Sequence, residues 1–255
     1  MSLTIMEKFF SIQGEGARAG VPSVFVRFAL CNFSCSGFKV KYTDNKTGEI
    51  KYGCDSYYSV DTSFKDTWKK YDDYSVLVSE INDLIPFEEK ERVDIVITGG
   101  EPLMHWKNKD FQNLIAYYVS RGHKVTIETN ASLDIEFTRK YQKEIIFSMS
   151  VKLSNSGEPE EKRINLDNIT KIIEETENSY FKFVIDKNSI NETEHEIDSI
   201  LNQLPYYANV YLMPMGDTIT ELEKNAKTVM EMCMRKNFKY SDRLHIRIWD
   251  NQPGV

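Results

Sequence analysis

Long apolar runs, basic stripes and plentiful cysteine are all missing from this chain of 255 residues. No stretch approaches the roughly 20 apolar residues of a membrane-spanning helix. The start, MSLTIMEKFF, lacks the apolar core of a signal peptide. A cytoplasmic protein without a membrane partner is therefore expected. Net charge is −7, and lysine and arginine form no stripe of the kind that tracks a phosphate backbone, which argues against nucleic acid as a partner. Internal repeats and low-complexity segments are absent too. Only four residues are cysteine. Without an extracellular signal, these are expected to be reduced thiols open to a metal, not disulfides. The length suits one domain, 1–255, with a sizeable core.

What is present reads mainly as strand alternating with helix. Apolar, β-branched runs occur at Val24–Leu30, Val93–Thr98, Val125–Glu128, Ile145–Ser150, Phe181–Ile185, Val210–Met213 and Leu244–Trp249. Helical spacing marks Phe111–Val119, closed by Arg121-Gly122, and also Asp167–Glu177 and Thr218–Lys236. Asp167 and Thr218 or Thr220 are the expected N-caps. This alternation predicts right-handed crossovers and a mostly parallel sheet, an α/β fold. About six units suit an open or partial barrel better than a closed eight-unit one. Two stretches break the rhythm: Ser36–Gly53 is polar, and Tyr57–Asp73 is aromatic and charged without a clear period. Both read as loop elaborations around a site.

Three of the cysteines, Cys31, Cys35 and Cys54, share one short stretch, while Cys233 lies far off on a predicted helix. A structural zinc site takes four protein ligands, and ordinary iron–sulfur clusters are held by four thiolates. Three thiols suit a four-iron cluster whose fourth iron stays open to a small molecule. Cys31 and Cys35 could instead be small buried hydrophobes, or the set could bind zinc with His105 as the fourth ligand. Cys31 directly follows an apolar run, so it is expected at a strand's carboxyl end, where α/β barrels assemble their sites.

Other strand ends carry polar or backbone-exposing groups. Thr98-Gly99-Gly100-Glu101-Pro102 follows Val93–Ile97, where two glycines admit a close ligand and the acid can accept from an ammonium. Alone, that pattern could be only a tight turn. Glu128-Thr129-Asn130, Ser150-Val151-Lys152 and Met213-Pro214-Met215-Gly216 follow later strands. Together they imply one extended ligand lying across the sheet's edge. Near the start, Phe10-Ser11-Ile12-Gln13-Gly14-Glu15-Gly16 sets two glycines around a carboxylate, a pattern that a plain hairpin turn would also give. Arg27, inside an apolar strand, needs a partner, and a substrate carboxylate would match its planar fork. Asp55-Ser56 supplies hard oxygens of the kind that suit magnesium.

Taken together, FFSIQGEG, GVPSVFVRFALCN, Cys54-Asp55, TGGEP, ETN, SVK, MPMG and LHIRIWDNQPGV resemble the radical S-adenosylmethionine (SAM) superfamily. More closely, they resemble its 7-carboxy-7-deazaguanine synthase family. TGGEP alone would indicate only the superfamily; SIQGEG joined to PSVFVRF and a cysteine cluster is far more specific. The resemblance implies a partial, elaborated β/α barrel working as a homodimer. It implies a [4Fe–4S] cluster on Cys31, Cys35 and Cys54, with SAM held by Gly100 and Glu101 and lined by Ser150, Val151, Lys152, Met213, Pro214, Met215 and Gly216. It places Ile12, Gln13, Gly14, Arg27, Thr98 and the terminal Val255 at a pterin substrate, and Ser56 at Mg2+. Arg27 and Ser56 would assist the reaction, and a flavodoxin- or ferredoxin-type donor would supply electrons. The implied reaction is a radical ring contraction of 6-carboxy-5,6,7,8-tetrahydropterin that loses ammonia. Two departures stand out. Eighteen residues separate Cys35 from Cys54 where the superfamily has two, an insertion at about 36–53 whose closure cost grows only slowly with length. Ser56 stands where threonine is common, which keeps the oxygen ligand. The alternatives are a radical SAM activase that makes a glycyl radical on a partner protein, and a metal-binding protein without turnover.

Overall fold

The computed structural model describes residues 2–88, 93–252 and 254. Val255, expected at the substrate, lies outside the described residues. In chain order the strands are β1 (Leu3–Ile12), β2 (Pro22–Phe28), β3 (Val40–Thr43), β4 (Ile50–Gly53), β5 (Lys69–Tyr71), β6 (Asp94–Gly99), β7 (Val125–Thr129), β8 (Ile146–Met149), β9 (Tyr180–Ile185), β10 (Asn209–Pro214) and β11 (Lys239–Tyr240). The helices are α1 (Tyr57–Val60), α2 (Tyr74–Asp83), α3 (Lys109–Val119), α4 (Glu160–Arg163), α5 (Leu166–Glu175), α6 (Ile190–Leu201), α7 (Ile219–Lys236) and α8 (Leu244–Trp249). None of the described helices is long and apolar enough to cross a membrane.

Nine strands form one mixed sheet in the order β11-β10-β9-β8-β7-β6-β2-β1-β5. From β2 to β11 every neighbouring pair is parallel, while β1 runs antiparallel to both β2 and β5. The sequence explains the central strands. Ile95, Val96 and Ile97 of β6 are all buried, because parallel strands covered on both faces carry continuous apolar runs. α3 follows from its 3.6-residue period: Phe111, Leu114, Ile115 and Tyr118 are buried on one face. The Asn108 side chain accepts from the Asp110 N–H to start α3, and Gly122, at φ +83°, follows its end. Because seven strands run parallel, their carboxyl ends share one edge of the sheet, the edge where open α/β sheets bind ligands.

Four local expectations change. Leu244–Trp249 is the helix α8, not a strand. Its alternating pattern has no neighbouring strand to pair with; instead Leu244 N–H donates to Gly14 O at 3.1 Å and local bonds such as Asp250 N–H to Ile246 O, 2.9 Å, satisfy the backbone. α5 is capped by Asn165, whose side chain accepts from Asn168 N–H at 3.1 Å, so Asp167 falls in the first turn, where its charge meets the helix's positive end. Ser36–Gly53 is not a bare loop: β3 and β4 pair as a hairpin whose turn is held by Asp44, which accepts from the N–H groups of Lys46 and Thr47 at 2.8 and 2.9 Å. Tyr57–Asp73 contains α1, a 3-10 turn at Thr62–Thr67 and β5, which extends the main sheet past β1.

Candidate active site

Each cysteine sits just beyond a strand or turn at the carboxyl edge. Cys31 follows Leu30, whose φ of +75° swings the chain off β2, and Cys54 directly follows β4. Cys35 is buried in the left-handed conformation, φ +49°. All three are free thiols. Burial first, then Glu101 at Cys31 and Asp55 at Cys54, with charge on Cys35 adding to both, push these two thiols up to about 12; the Lys152 ammonium pulls all three thiols the other way. The three are thus electrostatic neighbours around one shared cation, and the Phe33 N–H already points at Cys31 Sγ from 3.4 Å. Among the described residues no group of three or more His, Cys, Asp or Glu is gathered closely enough for a single metal ion. His105 instead packs its ring on Phe28 and Phe111, at 5.1 and 6.1 Å between centroids. Three neighbouring thiols beside a shared cation suit a multi-iron group, while His105, packed against Phe28 and Phe111, is placed in the aromatic core and not as a fourth ligand beside them.

The Gly99-Gly100 pair is required by the close approach of two strand ends. β6 lies beside β2 with Gly99 opposite Phe28, and Gly100 and Glu101 N–H groups donate to Phe28 O and Leu30 O at 3.1 and 2.9 Å. A Cβ on Gly100 would fall 1.9 Å from Leu30 O, so only glycine lets this turn sit against the chain leading into Cys31. Glu101 is fully buried. Its carboxylate accepts from Leu103 N–H (2.9 Å), Thr129 Oγ1 (2.7 Å) and Asn130 N–H (2.7 Å). The side chain expected to meet an ammonium group thus also ties β6 to β7.

Beside the thiols runs a continuous chain of charges. Thr98 Oγ1 donates to Glu128 at 2.8 Å; Lys182 Nζ joins Glu128 (3.3 Å) to Glu15 (2.6 Å). Arg243 binds Glu15 at 2.9 Å, Gly216 O at 2.7 Å and Asp55 at 3.3 Å. Asp55 accepts from Ser56 Oγ at 3.3 Å, and Arg27 donates to Ser56 Oγ (3.4 Å) and to Glu7 (2.7 Å). Burial alone would raise the Glu15 carboxyl, but Lys182, Arg243 and His245 hold it far below the usual carboxylate range. Burial likewise disfavours charge on Lys182, and Glu128 and Glu15 reverse that, keeping it protonated. His245, lowered mainly by burial, faces Glu15 from 3.9 Å, and it approaches so closely that a Cβ on Gly14 would lie 2.3 Å from its Nδ1.

Of the residues singled out from sequence, Arg27, Ser56, Thr98, Gly216 and the three cysteines lie on or beside this chain. Gln13 joins it through its side-chain oxygen, which accepts from Glu15 N–H at 3.1 Å. Ser150 Oγ accepts from Lys152 Nζ at 3.1 Å, next to the thiols. Val151 and Met213 are buried. Pro214 is buried at the end of β10; Met215 turns its carbonyl to Asn225 at 2.7 Å. Ile12, 37% exposed, ends β1. Sequence reasoning missed Lys182, Arg243 and His245, and gave Glu15 and Glu128 no partners. A lysine inside the apolar run Tyr180–Ile185 was the available signal, the same one that singled out Arg27.

A mostly parallel α/β sheet with three free thiols at its carboxyl edge defines a candidate single-cluster iron–sulfur protein, and residues 12–173 match the family model described as a 4Fe-4S single cluster domain. A protein of Rhodopirellula baltica named 7-carboxy-7-deazaguanine synthase is 31% identical over all of this chain and 89% of its own length. One of the same name from Clostridium acetobutylicum is 27% identical over the whole of both chains. The crystal structure of QueE from Escherichia coli shares the fold, with a TM-score of 0.63 at 22% identity over 95% of this chain and 94% of that one. The chain belongs to the 7-carboxy-7-deazaguanine synthase family.

Proposed function

We propose that this chain converts 6-carboxy-5,6,7,8-tetrahydropterin to 7-carboxy-7-deazaguanine, with loss of ammonia. The observation that carries the reading is the unbroken run from the cysteine turns to a buried, fully charged network along one sheet edge, in a member of this family. Cys31, Cys35 and Cys54 would hold a [4Fe–4S] cluster, and SAM would lie against Gly100, Ser150, Lys152 and the Met213–Gly216 turn. Bound together, cluster and SAM supply a one-electron reductive cleavage that removes a hydrogen atom from the substrate.

The protein's part is binding and orientation. Arg27 spends one nitrogen on Glu7 and turns another toward Ser56; that second arm suits a substrate carboxylate. Ser56 and Asp55 offer oxygens to a magnesium ion that would orient the same carboxylate, with substrate and water completing its shell. Glu15 and Glu128, both paired with Lys182, would accept N–H groups of the pterin ring. Thr98 fixes Glu128 by donating to it. Ile12, Gln13 and Gly14 would wall the ring, and Gly14 admits His245. Val151 would contribute backbone alone, and Glu101 would hold the Gly-Gly turn in place. The same reading includes a sheet curved as a partial barrel, a homodimer in the cytoplasm, and electrons from a flavodoxin- or ferredoxin-type donor.

The test is an anaerobic assay of the reconstituted chain with reductant, SAM, magnesium and the carboxypterin, read by mass spectrometry. Deazaguanine product over many turnovers per SAM is expected. Cleavage of SAM without that product would reject the substrate, and a colourless, iron-free chain would reject the three-thiol site. Ser56→Ala should slow turnover at limiting magnesium by at least about tenfold while iron content stays unchanged. Identical magnesium titrations for both proteins would remove Ser56 from that role.

A further inference from the structure

The turn carrying Cys35 is held from across the sheet edge, by the segment that follows β8. One oxygen of Glu158 accepts from Cys35 N–H at 2.7 Å, Ser34 N–H at 2.8 Å and Ser34 Oγ at 3.0 Å. Cys35 is left-handed there, a conformation that a residue with a side chain keeps only when its surroundings over-determine it. Backbones also meet: a Cβ on Gly37 would lie 2.4 Å from Asn155 O and 2.6 Å from Gly157 N. The holding segment is itself fastened. Glu196 of α6 accepts from Ser154 N–H at 3.0 Å and Ser154 Oγ at 2.9 Å. Arg163, almost wholly buried, binds Glu196 and donates to Lys152 O at 2.9 Å. A rigid path thus leads from α6 through residues 152–158 to the middle cysteine.

We propose that Glu158 is a positioning residue for Cys35, the clamp that keeps the middle thiol's turn formed before any iron arrives. It substitutes for the short cysteine-to-cysteine spacing that this chain lacks: with eighteen residues between Cys35 and Cys54, the turn cannot lean on its own sequence neighbour. The importance of the clamp rests on reading Cys35 as a cluster ligand, but the clamp itself is open to test without iron.

The full chain, free of cluster and kept anaerobic, is treated with iodoacetamide, and alkylation of Cys35 is followed by peptide mass spectrometry against Cys233. Both thiols are only 4% exposed, so each reacts through opening of its surroundings. Glu158→Ala should speed Cys35 alkylation about tenfold or more relative to Cys233. Glu158→Gln keeps an oxygen for the same donors and should change the rate by less than about threefold. After reconstitution, Glu158→Ala should lose iron to a chelator severalfold faster than wild type, with Glu158→Gln close to wild type. Equal alkylation rates in wild type and Glu158→Ala would overturn the clamp. Equally raised rates in both variants would show an effect of charge alone and overturn it as well. A wild-type chain that takes up no iron would instead defeat the cluster reading, while the alkylation rates would still decide the clamp.

Discussion

Lys182 and Cys35 lie at the same sheet edge and are almost equally buried, at 5% and 4% exposure, yet they are held by opposite means. Lys182 stands inside β9, a strand between β8 and β10, where it pairs with Tyr211, and its ammonium has two carboxylates as fixed partners. Cys35 belongs to no strand or α-helix; a left-handed turn, a glycine contact and one distant carboxylate hold it. The contrast separates two demands. A network of buried charges must be complete when the chain folds, because an unpaired buried ion is costly. A cysteine turn has to accept a group from outside, so it is held by a few contacts that can open.

The largest expected effect breaks the first region. Lys182→Met leaves Glu15 and Glu128 without their shared cation and should cost about 3–5 kcal/mol, read as a lower urea midpoint. Adding Glu15→Gln and Glu128→Gln should return part of that loss, and no recovery would mean that the charges are not the cause. The sign with pH follows from Glu15. Its folded pKa is depressed, so its contribution is complete above the unfolded value of 4.5 and fades as pH falls below it. Wild type should therefore lose stability on acidification more steeply than the triple variant.

Next comes the seam between the two regions. Gly100→Ala drives a methyl group into Leu30 O, a backbone atom that cannot rotate away. About 1–3 kcal/mol of destabilisation is expected, with Cys31 displaced. Thermal unfolding and iron per chain should fall together; lost stability with full iron uptake would show that the turn does not position Cys31.

These differences also decide what the sequence discloses. β6 to β10 are legible because a doubly covered strand must be mostly apolar, and α3 and α7 because one face must repeat. Gly99-Gly100 and the cysteines are legible because few other residues serve at such places. Glu15 to Lys182 spans 167 positions and Glu15 to Arg243 spans 228, and no local period links residues so far apart. Only the parallel sheet brings them together. α8 reads as a strand for a related reason: Leu-His-Ile-Arg-Ile-Trp alternates as a strand does, and its helical form depends on tertiary contacts such as Leu244 N–H to Gly14 O.

The smallest effect sharpens the contrast within the cysteine region, where the hairpin carries its own clasp. Asp61 accepts from Tyr42 Oη and Lys51 Nζ, each at 2.9 Å, and from Ser63 N–H at 2.8 Å, while Tyr42 stacks on Tyr57 at 4.3 Å. Burial raises the Asp61 carboxyl, but these donors outweigh it and hold the group down to about 2. A depressed pKa means that the clasp is at full strength above the ordinary value of 3.8 and lost only as pH falls through about 2. Hydrogen exchange across residues 40–53 should therefore stay protected down to about pH 4, after correction for the intrinsic rate. Asp61→Asn keeps one acceptor oxygen but drops one of the two charges that hold Lys51, the other being Asp44, so its protection should fall modestly at every pH. A wild-type hairpin that already opens between about pH 6 and pH 5 would rule out Asp61 as its fastening. It would leave Asp44, the aromatic stack and the Gly37 contact to hold the insertion.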